Sequence, residues 1–241
     1  MIRTRSARFN FSMDTATTKL ILTVISGVCW TIVYIEGIRL GFRDKSYAIP
    51  FYALALNFAW EALYTFFGFR LNGVTVQNIF NAVWLIFDIG ILYTYFKFGQ
   101  KHFRTGLKNP STHRDGAEKT LFVGWSILGL VTAFALQYAL LREFGVAKGA
   151  GYSAFLQNLL MSALFIAMLA GRGNREGQSL SIAVNKWIGT LAPTILYGLI
   201  GEGGFPRGSF LILVAGLLCT VFDLIYIRML LVIRVRPASV A

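Results

Sequence analysis

The chain has 241 residues, 56% of them hydrophobic and only 14% charged, with a mean hydropathy of +0.60. So few charges exclude an ordinary soluble domain, in which about 25% of residues are charged, and indicate a polytopic membrane protein. The formal charge of +12 does not argue for nucleic-acid binding, because nearly all Lys and Arg fall in short loops and tails, where they set membrane topology.

Residues 1–19 form a basic tail with Arg3, Arg5, Arg8 and Lys19 and no early apolar core. No cleavable secretory signal is expected there, and Met13 is an alternative start. Seven apolar runs follow, each close to the roughly 20 residues that a helix needs to cross a bilayer. They span Leu20–Ile38, Tyr47–Gly68, Val76–Phe98, Thr120–Leu141, Tyr152–Ala170, Leu180–Ile200 and Ser209–Ile233. The runs are too long for barrel strands and do not alternate in polarity. The expected fold is an all-α bundle of seven transmembrane helices over residues 20–233, with a C-terminal tail at 234–241. The longest connection, Gly99–Lys119, is a basic loop, and no segment is long enough for an extramembrane domain.

Orientation follows from the basic residues. Arg39, Arg43 and Lys45, the basic Gly99–Lys119 loop, Arg172 and Arg175, and Arg228, Arg234 and Arg236 fall on one side. The tail, Arg70, Arg142, Lys148 and Arg207 fall on the other. The first group is larger, so the N-terminus is expected outside and the C-terminus in the cytoplasm, against the pull of the basic tail.

Three runs carry a carboxylate near the middle: Glu61, Asp88 and Asp223. Such a group costs about 2.5–3.5 kcal/mol in a lipid-facing position, so these acids are expected to face the bundle interior. Helical spacing puts Asn57, Trp60, Glu61 and Tyr64 on one stripe of the second run, and Asn81, Trp84 and Asp88 on one stripe of the third. Cys219, Asp223 and Tyr226 align on the seventh, and Trp30 and Tyr34 on the first. The fifth run offers Tyr152, Gln157 and Asn158; the sixth offers Asn185, Lys186, Thr190 and Tyr197, with a kink expected at Pro193. Polar groups in a bilayer need partners, so these stripes are expected to converge on an internal cavity. Lys186 also suits a purely structural pairing with an acid, and any one aromatic side chain also suits helix packing. Cys29 and Cys219 lie in apolar runs, and His102 and His113 share one loop, so no metal cluster is expected.

A protonated carboxyl in low dielectric is a proton donor, and aromatic faces stabilise cations. A dry cavity of this kind suits carbocation chemistry on a lipophilic substrate. A small proton-coupled transporter would show similar acids, although the paired interrupted helices of transporter repeats are absent from the pattern.

The residues Asn57-Phe58-Ala59-Trp60-Glu61, together with Asp223 within Phe222-Asp223-Leu224-Ile225-Tyr226, resemble the integral-membrane terpene cyclases. These are the cyclases of fungal meroterpenoid and indole-diterpene pathways, typified by the pyripyropene cyclase, with bacterial relatives. The resemblance extends over nearly the whole chain. It implies an enzyme without metal or cofactor that protonates a terminal epoxide or olefin of a prenylated substrate and guides ring closure. It also implies that Glu61 and Asp223 are the essential acids, with Asp88 a third candidate. Asn57 and Asn81 are then candidates for orienting the acids, Lys186 for a further substrate-binding residue, and Trp30, Tyr34, Trp60, Tyr64, Trp84 and Tyr226 for the pocket wall. The five aspartates, at 14, 44, 88, 115 and 223, are all isolated, so the DDxxD and DxDD motifs of soluble terpene synthases are missing.

Overall fold

The computed structural model describes residues 14–103 and 115–232. The expectations for Arg3, Arg5, Arg8, Met13, His113, most of the basic loop and the C-terminal tail lie outside the described residues. Within them, six α-helices carry almost the whole chain: α1 Thr15–Arg43, α2 Phe51–Asn72, α3 Val76–Phe98, α4 Asp115–Arg172, α5 Leu180–Ile195 and α6 Phe210–Val232. A 3-10 turn, Gly99–His102, follows α3, and a π-helical turn, Leu196–Ile200, follows α5.

Local chemistry places the ends. Pro50 precedes α2, which therefore starts at Phe51 and not at Tyr47. Thr75 caps α3 by accepting the Asn78 N–H at 3.1 Å, and Ser179 caps α5 by accepting the Ile182 N–H at 3.2 Å. α1 runs past both ends of its apolar run, because Lys19, Arg39 and Arg43 are part of the helix. Glu36 and Arg39, one turn apart, pair at 2.7 Å. Pro193 lies inside α5, and the helix relaxes into the π turn that the Gly201 N–H closes on the Leu196 carbonyl at 2.8 Å.

The expected seven helices are six. The separate fourth and fifth helices are one element, α4, because the polar Arg142–Gly151 segment, read as a loop, is helical on both sides of Gly145. At 58 residues α4 would measure about 87 Å if straight, nearly three times the hydrocarbon core. It is not straight. Gly145 has φ 73° and ψ 172°, outside helical space. Beyond it the chain doubles back: a Cβ at Gly149 would stand 3.0 Å from the Leu140 carbonyl oxygen, and Gln137 donates to Gln157 at 2.6 Å. α4 is thus a hairpin of two arms.

The helices close into a ring in the order α3, α1, α5, α6, α4, α2 and back to α3. Its outer surface is apolar, with Ile86, Val131 and Leu231 all more than half exposed. α1, α3, α4 and α6 are each long and apolar enough to cross a membrane. In α2, Asn57 and Glu61 interrupt the apolar run, and both point into the ring.

Candidate active site

A cavity of about 550 Å³ lies inside the ring. Three stripes read from the sequence meet there. Trp30 and Tyr34 come from α1, Asn57, Trp60, Glu61 and Tyr64 from α2, and Asn81 and Trp84 from α3. The second arm of α4 adds Gln157, Asn158 and Met161, and α5 with its π turn adds Thr190, Pro193 and Tyr197.

Glu61 is 2% exposed, and its Oε2 has no hydrogen-bond partner. None of the ion pairs among the described residues involves it. An unpaired carboxylate at this depth would bear its full desolvation cost, which the protonated acid avoids.

One turn before Glu61, Asn57 holds the wall together. Its amide nitrogen donates to the Tyr34 hydroxyl at 2.5 Å and to Asp88 Oδ2 at 2.9 Å. Its amide oxygen accepts from Gln157 at 3.3 Å, and Gln157 accepts from Gln137. This chain of amides joins α1, α2, α3 and both arms of α4. Asp88 is fully buried behind the cavity wall, with Oδ1 unpartnered.

The aromatic walls are fixed by their polar edges. The Trp60 ring N–H donates to the Ala150 carbonyl at 3.0 Å, and the Trp84 ring N–H donates to Thr31 Oγ1 at 3.1 Å. Tyr34 stacks on Trp84 with centroids 6.1 Å apart, and Trp30 lies 6.3 Å from Tyr34. Asn81 accepts from Gln77 at 2.7 Å, on the side where the cavity opens. Tyr64 stands against Gly149, where only a glycine leaves room for the hairpin to approach α2.

Asp223, Lys186 and Tyr226 do not line the cavity. Lys186 Nζ donates to both Asp223 oxygens, at 2.7 and 3.0 Å, and to Ser162 at 2.6 Å. This ion pair ties α5, α6 and the second arm of α4 together beneath the cavity, one turn below Asn158 and Thr190. Asn158 donates to Thr190 at 2.7 Å, which links the pair's surroundings to the lining. Tyr226 donates to Gln178 at 2.9 Å and packs on Phe165, further from the cavity.

At the opposite end of α1, Asp44 is a closing contact of another kind. Partial burial raises its carboxyl, but the Arg43 hydrogen bond, the Gly177 N–H and the Arg43 and Arg39 charges outweigh this and hold it below the usual carboxylate range. It links the α1–α2 and α4–α5 connections.

Residues missed in the sequence are Gln137, on the first arm of α4, and Glu202, in a glycine-rich turn. Gln157 and Asn158 were visible as polar residues in an apolar run, but their partners were not.

A family model of Pyr4-like transmembrane terpene cyclases matches residues 8–236. The chain is 33% identical over 178 residues to a Pyr4-family terpene cyclase of Annulohypoxylon moriforme, covering 73% of this chain and 68% of that protein. It is 28% identical over 202 residues to a terpene cyclase of Penicillium terrestre, covering 79% and 74%. It is 26% identical over 214 residues to a terpene cyclase of Aspergillus fumigatus, covering 86% and 83%. No solved structure matches.

Proposed function

Because the chain belongs to the Pyr4-like transmembrane terpene cyclases, and is therefore a terpene cyclase of the membrane, we propose that Glu61 is its proton donor. The observation that carries this reading is an acid that is buried, lines the cavity and lacks a partner for Oε2. The proton passes from the Glu61 carboxyl to a terminal epoxide oxygen, opening the C–O bond, or to the terminal carbon of an olefin. Either event leaves a tertiary cation. Each internal alkene then attacks in turn, forming one C–C bond and moving the cation along the chain. Loss of a C–H proton from the last cation, which reprotonates Glu61 directly or through solvent, makes the product an isomer of the substrate.

Trp30, Tyr34, Trp60 and Trp84 line this path and stabilise successive cations by about 0.5–2 kcal/mol each. Tyr64 and Asn81 bound the same space. Asn57 orients Tyr34 and Asp88 behind Glu61, and Asp88 is a second acid held behind the wall. Asp223 acts through Lys186, fixing α5 and α6 beneath the cavity; Tyr226 supports α6 from further away. The reading calls for no metal, no cofactor and no diphosphate loss. The substrate is a lipophilic prenylated molecule drawn from the bilayer.

Both arms of α4 cross the membrane in this reading, giving seven crossings with the N-terminus outside and the C-terminus cytoplasmic. Reporter fusions after Arg236 and in the 99–119 connection would then both read cytoplasmic, and a signal from the other side would overturn the orientation.

The activity is tested on membranes carrying the chain, supplied with a prenylated aromatic that bears either a terminal epoxide or the parent olefin. A cyclised isomer of unchanged mass is the expected product. Recovery of both substrates unchanged would overturn the reading.

A further inference from the structure

The cavity runs from a buried inner end to a more exposed mouth. Its inner end holds Glu61 and Trp84, both buried. Its outer end lies beside the first turns of α1 and α3, where Lys19 and Gln77 are half-buried and Thr75 is exposed. Across this mouth Lys19 Nζ and Glu202 stand 2.8 Å apart, and both line the cavity.

Glu202 is held there by a constrained turn. Gly201, Gly203 and Gly208 have φ of 90°, 52° and 76°, which side-chain-bearing residues rarely adopt. Phe205 pairs with Glu202 in an isolated bridge and anchors the turn against Tyr152, with ring centroids 5.0 Å apart. A half-exposed ion pair adds only about 0–1 kcal/mol to stability. Its placement across the cavity mouth, facing the lumen, fits ligand recognition better than scaffolding.

Lysine carries three N–H donors, so Lys19 can donate to an additional anionic oxygen while Glu202 holds it in place. The bilayer orders an amphiphile in the same sense, with the polar head at the interface and the chain in the core.

We propose that Lys19, positioned by Glu202, is the head-group subsite of the cavity and takes the ionised oxygen of an acidic head group at the end of the substrate opposite its prenyl tip. The proposal rests on the cyclase reading above. With the head held at the mouth, the tip lies toward Glu61.

The test is binding to the purified protein, followed by quenching of tryptophan fluorescence. The probes are 4-farnesylbenzoate and its methyl ester, which share ring and tail and differ in the anionic oxygen. The wild-type protein should bind the acid about tenfold more tightly, the size of one hydrogen bond to a charged group. Lys19→Met should bring the acid down to the affinity of the ester, and Lys19→Arg should keep the preference. Equal binding of acid and ester by the wild-type protein, or a preference that survives Lys19→Met, would overturn the subsite while leaving the cyclase reading intact. Failure of both probes to bind would count against the prenyl cavity itself.

Discussion

Asp223 and Lys186 form an ion pair sealed from both solvent and cavity, with Nζ 2.7 and 3.0 Å from the two carboxylate oxygens and neither side chain more than 1% exposed. The pair is therefore a strut under the site. Removing one partner leaves the other charge buried and uncompensated, at about 3–5 kcal/mol, whereas replacing both with apolar groups of similar size is often neutral. Asp223→Asn should lower thermal stability in detergent and reduce turnover. The double variant Lys186→Met with Asp223→Leu should recover both. A double variant as stable as the wild-type protein yet as inactive as Asp223→Asn would instead give Asp223 a direct chemical part.

The hairpin of α4 gives a cleaner stability test. A Cβ at Gly145 would meet no atom within 4 Å, so the only obstacle to a side chain there is the backbone at φ 73° and ψ 172°. That region is essentially restricted to glycine, and other residues lose about 1–3 kcal/mol in it. Gly145→Ala and Gly145→Asn should both destabilise the protein by that amount, measured as a lowered unfolding midpoint. Wild-type stability in either variant would mean that the turn adopts another geometry.

The tryptophan walls should govern which product forms. Trp84→Leu removes a ring stacked on Tyr34, and Trp60→Leu removes one that adjoins Glu61 on the same helix. Both variants should release partly cyclised or early-deprotonated side products from the same substrate, detected by chromatography and mass spectrometry. A single unchanged product at lower rate from both would make these rings packing residues.

The spans and most of the wall were legible in the sequence. Val76–Phe98 is α3 residue for residue, and Leu180–Ile200 is α5 with its π turn. The stripes of α1, α2 and α3 point into one cavity because helical spacing fixes which side chains share a direction. Spacing does not fix how far a face lies from the cavity. α6 turns Asp223 inward, but Gly216 packs so closely on Thr194 of α5 that the stripe meets α5 and not the lumen. The α4 hairpin was hidden because Arg142, Glu143 and Lys148 resemble a loop, yet they are helical on either side of Gly145. The Lys19–Glu202 contact joins residues far apart in the chain, and only the closed ring brings them together.

The central claim is that Glu61 supplies the proton. Glu61→Gln keeps the side chain's shape and removes its acidity, so initial rates of cyclised product per folded protein in membranes test it directly. The expected result is a loss of about 10²–10⁴-fold, the typical contribution of a positioned general acid, with the amount of folded protein unchanged. Turnover within a few-fold of wild type would contradict the assignment and move the proton donor elsewhere in the cavity.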